Sequence, residues 1–62
     1  MKSSEMYRIL LKKGWYPVSQ KGSHVKMKHP LSNEIIIFPN HGSAELGKGL
    51  EKKLLKQSEI KN

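Results

Sequence analysis

A chain of 62 residues carrying a net charge of +7 has room for one small domain, because a domain of about this size buries only about 60% of its unfolded surface. The absence of cysteine excludes disulfide staples and thiolate zinc sites. No apolar run approaches the roughly 20 residues of a membrane helix and no secretory signal follows the N-terminus, so the expectation is a single domain over residues 1–62 in the cytoplasm, with no membrane partner.

Residues 3–13 read as a helix, capped by Ser3 or Ser4, with Glu5 at the positive end of its dipole and Lys12 and Lys13 at the negative end. Met6, Ile9 and Leu10 recur at i, i+3 and i+4 as an inward stripe, widened by Tyr7 and Leu11. Gly14 follows as a C′ residue. A first strand is expected from Trp15 to Gln20, with Pro17 tolerable only on a sheet edge. Lys21-Gly22 is a tight turn, Ser23 to Lys28 a second strand, Pro30 to Asn33 a second turn, and Glu34 to Phe38 a β-branched third strand stopped by Pro39. A polar loop with a helical turn over residues 40–46 leads to a second helix from Gly47 or Lys48 to about Gln57. Its inner face is Leu46, Leu50, Leu54 and Leu55, with Glu51, Lys52, Lys53 and Lys56 in water. The fold class is α+β: α-β-β-β-α, a three-stranded antiparallel sheet with two helices on one face and the other face free.

Strand side chains alternate faces. If Val25 and Met27 point inward, His24 shares the free face with Lys26 and Lys28. An imidazole, with an ordinary pKa of about 6.5, can accept and donate a proton near neutrality. RNA brings its own nucleophile, the 2′-hydroxyl, so a base at His24 drives scission without a metal. Lys21, Lys26 or Lys28 then stabilises charge on the phosphoryl oxygens. Gly22 lets a phosphate approach closely, and the Ser23 hydroxyl holds a phosphate or the imidazole. The bland alternative is a solvated strand face on which one histidine among lysines does nothing. His41, on the loop after the third strand, is a candidate accessory group near the sheet edge. His29, before Pro30, reads as structural. Three dispersed histidines lack metal-ligand spacing, so neither a metal nor another cofactor is expected.

Eleven of the twelve cations are lysines, Arg8 is the lone arginine, and all five acids are glutamates. The excess points to a polyanion or an acidic protein. Lysine attracts phosphate as a point charge and offers little of the bidentate base reading that arginine provides. Gly47-Lys48-Gly49 at a helix start lacks P-loop spacing. Trp15, Tyr16, Tyr7 and Phe38 read as core more readily than as base-stacking platforms.

Four blocks in order, "Leu11-Lys12-Lys13-Gly14-Trp15", "Lys21-Gly22-Ser23-His24-Val25-Lys26-Met27", "Pro39-Asn40-His41" and "Glu45-Leu46-Gly47-Lys48-Gly49" with "Leu54-Leu55-Lys56-Gln57", resemble the HicA toxins, small mRNA interferases of prokaryotic HicA–HicB toxin–antitoxin systems. The resemblance implies a double-stranded-RNA-binding-like fold, a catalytic histidine at His24 in the Gly-Ser-His motif, mRNA as substrate, and neutralisation by a HicB-like antitoxin. DNA would be contacted only through that antitoxin. The chain departs from the family pattern at Leu50, at Met27 and at Ser58-Glu59, where threonine or serine, an aromatic, and Ala-Gly are common. Two other classes compete with the toxin reading: a non-catalytic RNA-binding module, which would return RNA intact, and a structural subunit whose basic face only docks an acidic protein.

Overall fold

The computed structural model describes residues 1–60. Helix α1 (Ser3–Lys12), strands β1 (Tyr16–Lys21), β2 (His24–Lys28) and β3 (Ile35–Pro39), and helix α2 (Lys48–Gln57) follow in the expected α-β-β-β-α order. β2 is central and antiparallel to both neighbours, giving an α+β fold with an open three-stranded sheet. Among the described residues no helix is long and apolar enough to cross a membrane.

Val25 stands opposite Phe38, and Met27 opposite Ile36. All four are buried together with Met6 and Leu10 of α1 and Leu54 of α2. Residues directly opposite in a ladder share a face, so both helices cover the same side. Each fully buried apolar side chain contributes roughly 1.5–3 kcal/mol. A one-residue slip of β2 would instead press His24, Lys26 and Lys28 into the core, at a cost of several kcal/mol for each buried ammonium. Hydrophobic burial therefore sets which face the histidine occupies.

α1 begins differently from the sequence expectation. Its N-cap is Lys2, with no side-chain cap bond, and Ser3 is buried with an unpartnered hydroxyl. The free helix amides are met by backbone carbonyls: Ser3 N–H donates to Ala44 and Ser4 N–H to Gly42, each at 2.9 Å. A loop carbonyl thus does what a capping side chain does elsewhere. The Met1 ammonium bonds Glu45 at 3.0 Å, which raises its pKa above the ordinary 8.0. That tie is complete below the ordinary value and lost as pH rises past the raised one; on the surface it is worth little. Met6 and Leu10 form the inward stripe, whereas Leu11 is exposed.

The α1–β1 corner is closed by His29. Leu31 N–H donates to His29 Nδ1 at 3.0 Å, so the ring proton sits on Nε2 and donates to the Lys13 carbonyl at 2.8 Å. Gly14 beneath it has φ +98°, and a Cβ there would stand 2.6 Å from His29 Nε2. The ring also meets Trp15 edge-on at 5.4 Å. Trp15 itself is buried rather than part of the strand, and its indole N–H donates to the Ser58 carbonyl at 3.1 Å. The Ser58 hydroxyl donates to Leu55 O at 2.6 Å and accepts from Lys13 Nζ at 3.0 Å. Ser58 thus joins the two helix ends.

A bulge between Pro17 and Ser19 explains how Trp15 turns inward. Lys21 and Ser19 pair with His24 and Lys26 and share their face. Uninterrupted alternation would carry Trp15 outward with them. One extra residue reverses the facing, so Tyr16 opposite Lys28 is on the open face and Trp15 is in the core. β1 is an edge strand, as Pro17 requires. β3 includes Pro39 and excludes Glu34, because Pro39 sits at the strand end, opposite His24. The loop after it holds a β-turn closed by Ala44 N–H to His41 O at 3.3 Å in place of a helical turn. α2 matches its expected bounds, with Leu54 buried, Leu50 and Leu55 partly buried, and Glu51 half-buried.

Gly14→Ala should destabilise the fold by about 2–4 kcal/mol, from a positive-φ penalty plus loss of the His29 bond. Urea denaturation checks this, and an unchanged midpoint would remove His29 from the account of the corner.

Candidate functional site

The β1–β2 hairpin turns on two residues, Gly22 and Ser23. Gly22 has φ +60°, and among the described residues only Gly14 and Gly42 share a positive φ. Glycine first in a two-residue loop with positive φ there alone fits a type II′ turn, whose twist matches the flanking strands. Space around Gly22 is open: nothing lies within 4 Å of where a Cβ would be. The Gln20 amide donates to the Gly22 carbonyl at 3.0 Å and steadies the turn. The turn delivers Lys21 and His24 as a directly opposed pair.

His24, Lys26 and Lys28 are all exposed while Val25 and Met27 are buried. Each row across the open face holds one residue of each strand: Lys21, His24 and Pro39; then Ser19, Lys26 and Ile37; then Tyr16, Lys28 and Ile35. At about 3.3 Å per residue, Lys26 is about 7 Å along the strand from His24 and Lys28 about 13 Å. Lys21 and Lys26 are therefore His24's cationic neighbours, and Lys28 lies two rows away from it.

His41 comes to the same corner. Asn40 N–H donates to the Ser23 carbonyl at 2.7 Å, and the Asn40 side chain accepts from Gly42 N–H at 3.3 Å. This brings His41 Nε2 to 3.5 Å from the Ser23 hydroxyl. Ser23, His24, Lys21 and His41 thus gather at one end of the sheet although the chain separates them. His29 is at the far end of β2, buried with both ring nitrogens bonded. Among the described residues no three His, Cys, Asp or Glu side chains converge on one point.

A concavity of about 650 Å³ lies away from this corner, between the β2–β3 turn and the end of α2; Leu31, Lys53, Lys56 and Ile60 are among its walls. It contains no histidine. The His24 corner is exposed, with open space beside Gly22. Sequence reasoning missed the apolar part of this face. Ile35, Ile37 and Tyr16 are 45%, 58% and 44% exposed. Alternation about Ile36 and Phe38 signals the two isoleucines; Tyr16 is hidden from it by the bulge.

An acylating reagent such as diethylpyrocarbonate should modify His24 and His41 in the folded protein and spare His29. Peptide mass spectrometry reads this directly, and rapid His29 labelling with slow His24 labelling would contradict the facing described.

The model of the family described as "HicA toxin of bacterial toxin-antitoxin" matches residues 3–60. The chain is also 40% identical over 62 residues, the whole of both sequences, to a "Probable mRNA interferase HicA" of Pseudomonas fluorescens (strain Pf0-1). The chain belongs to the HicA toxin family.

Proposed function

With that membership as premise, we propose that this chain is the toxin of a type II toxin–antitoxin pair and a metal-independent endoribonuclease that cleaves mRNA and so halts translation and growth. The observation that carries the reading is an exposed imidazole on a rigid central strand, flanked in its row by Lys21 and followed by Lys26. The name of the P. fluorescens relative, an mRNA interferase, supports the substrate class.

In the proposed step, His24 takes the proton of the 2′-hydroxyl, the 2′-oxygen bonds to the adjacent phosphorus, and the bond from phosphorus to the 5′-oxygen breaks. Lys21 and Lys26 offset negative charge growing on the non-bridging oxygens. In-line displacement places attacking and leaving oxygens on opposite sides of phosphorus. The 5′-oxygen therefore takes its proton from a second donor, either water or His41 held beside the same turn by Ser23. Gly22 keeps the turn open to the backbone, and Ser23 orients His41 or a phosphate. The same face would be covered by a HicB-like antitoxin, whose acidic groups would meet the lysines. DNA would enter only through that partner.

His24→Ala should lower cleavage by about 10²–10⁴-fold, the usual worth of a positioned acid–base group, while folding stays unchanged at this exposed position. Purified protein and labelled RNA in EDTA, resolved on a gel, provide the assay. RNA recovered intact from the wild-type protein would favour the non-catalytic binding module, and equal cleavage by His24→Ala would remove His24 from the chemistry. A His41→Ala loss as deep as that of His24→Ala would make His41, rather than water, the acid.

A further inference from the structure

Two of the three columns on the open sheet face differ in chemistry. β2 contributes His24, Lys26 and Lys28; β3 contributes Pro39, Ile37 and Ile35, each directly opposite its β2 partner. Neighbouring strands are about 4.8 Å apart, so a row of proton-carrying groups runs beside a row of apolar ones. Tyr16 flanks the end furthest from His24, opposite Lys28. Solvated faces of antiparallel sheets ordinarily alternate polar residues outward. Here β3 presents two isoleucines at 45% and 58% exposure, without a helix over them.

We propose that this face is a track for single-stranded RNA, with the sugar–phosphate backbone along β2 and the bases lying over Ile37, Ile35 and Tyr16 on either side. This rests on the reading of His24 as the reacting group and adds to it the strandedness and direction of the substrate. Unpaired bases expose apolar faces that a protein can cover, and stacking on such platforms is indifferent to sequence. A duplex keeps its base faces inside the stack and offers this face only phosphates and sugars. A protein partner is the other occupant the surface could suit. A neutralising antitoxin would sit here as RNA's competitor, drawn by the lysines. Interface cores are depleted of lysine and enriched in arginine, and Lys21, Lys26 and Lys28 with no arginine suit phosphates as the face's own ligand. The apolar column also ends in the same row as His24, past which the molecule being cut must run.

The test uses the His24→Ala chain, so that the RNA survives, and a short labelled single-stranded RNA of mixed sequence. Ile37→Ala in that background should weaken binding about fivefold, roughly the worth of one lost apolar contact with a base; Lys26→Ala should weaken it as well. On an RNA of the same length with abasic sites throughout, the Ile37→Ala effect should vanish and the Lys26→Ala effect persist. The same strand annealed to its complement should bind without regard to residue 37. Circular dichroism confirms folding, which exposed Ile37 does not control. Equal effects of Ile37→Ala on intact and abasic RNA, or none on either, overturn the track. So does a loss confined to binding of an acidic protein partner, which would make the face a protein dock. If the His24→Ala chain still cleaves, it is the catalytic reading that has failed; the base-dependence at Ile37 is read separately from it.

Discussion

The burial of Val25 against Phe38 and of Met27 against Ile36 under two helices dictates what the opposite side of the sheet must present. β2 has a neighbour on each edge and helices on one face only, so its five residues have two destinations. Two apolar side chains inside leave one histidine and two lysines outside. The desolvation penalty of a lysine ammonium exceeds the gain from any single apolar side chain in this core, so no alternative register competes. A 62-residue chain has little stability in reserve, yet it holds an imidazole in place without building a pocket for it. The rigidity comes from a backbone ladder on both sides of His24, through Lys21 and Pro39.

The ends of the sheet are held by different devices, and the three histidines differ accordingly in burial and bonding. At the α1–β1 corner, His29 uses both ring nitrogens for backbone bonds and presses on Gly14 and Trp15. No lone pair or proton is left over for chemistry. At the hairpin end, His24 and His41 are exposed, and the Ser23 hydroxyl lies 3.5 Å from His41 Nε2. Structural histidines are satisfied and buried; chemically available ones are exposed and loosely partnered.

Most of this was legible in the sequence because it follows from period and burial. The order of elements, the edge position of β1 forced by Pro17, the C′ glycine at Gly14, and the outward set His24, Lys26 and Lys28 all rest on local patterns that tertiary contacts reinforce. What escaped depended on non-local geometry. The cap of α1 is made by carbonyls of Ala44 and Gly42, some forty residues away, and no local pattern could replace the expected serine. The bulge at Val18 inserts one residue into an exposed strand whose own burial gives no periodic signal, so the opposite facing of Trp15 and Tyr16 was invisible. The approach of His41 to Ser23 required the loop's return over the hairpin. Strand alternation and the family resemblance both pointed to His24, while the pairing of its column with the apolar column of β3 depends on the register.

The proposed chemistry makes one commitment that no other mechanism on this surface shares: the nucleophile belongs to the RNA. Attack by the 2′-oxygen leaves a cyclic 2′,3′-phosphate, or the monophosphate formed when it opens, on the upstream fragment and a free hydroxyl at the 5′ end of the downstream one. Mass spectrometry of the fragments released in EDTA measures both ends at once. Cyclic phosphate with 5′-hydroxyl ends is the predicted result; fragments bearing 5′-phosphate and 3′-hydroxyl ends would mean that water attacked, and would contradict the role given to His24.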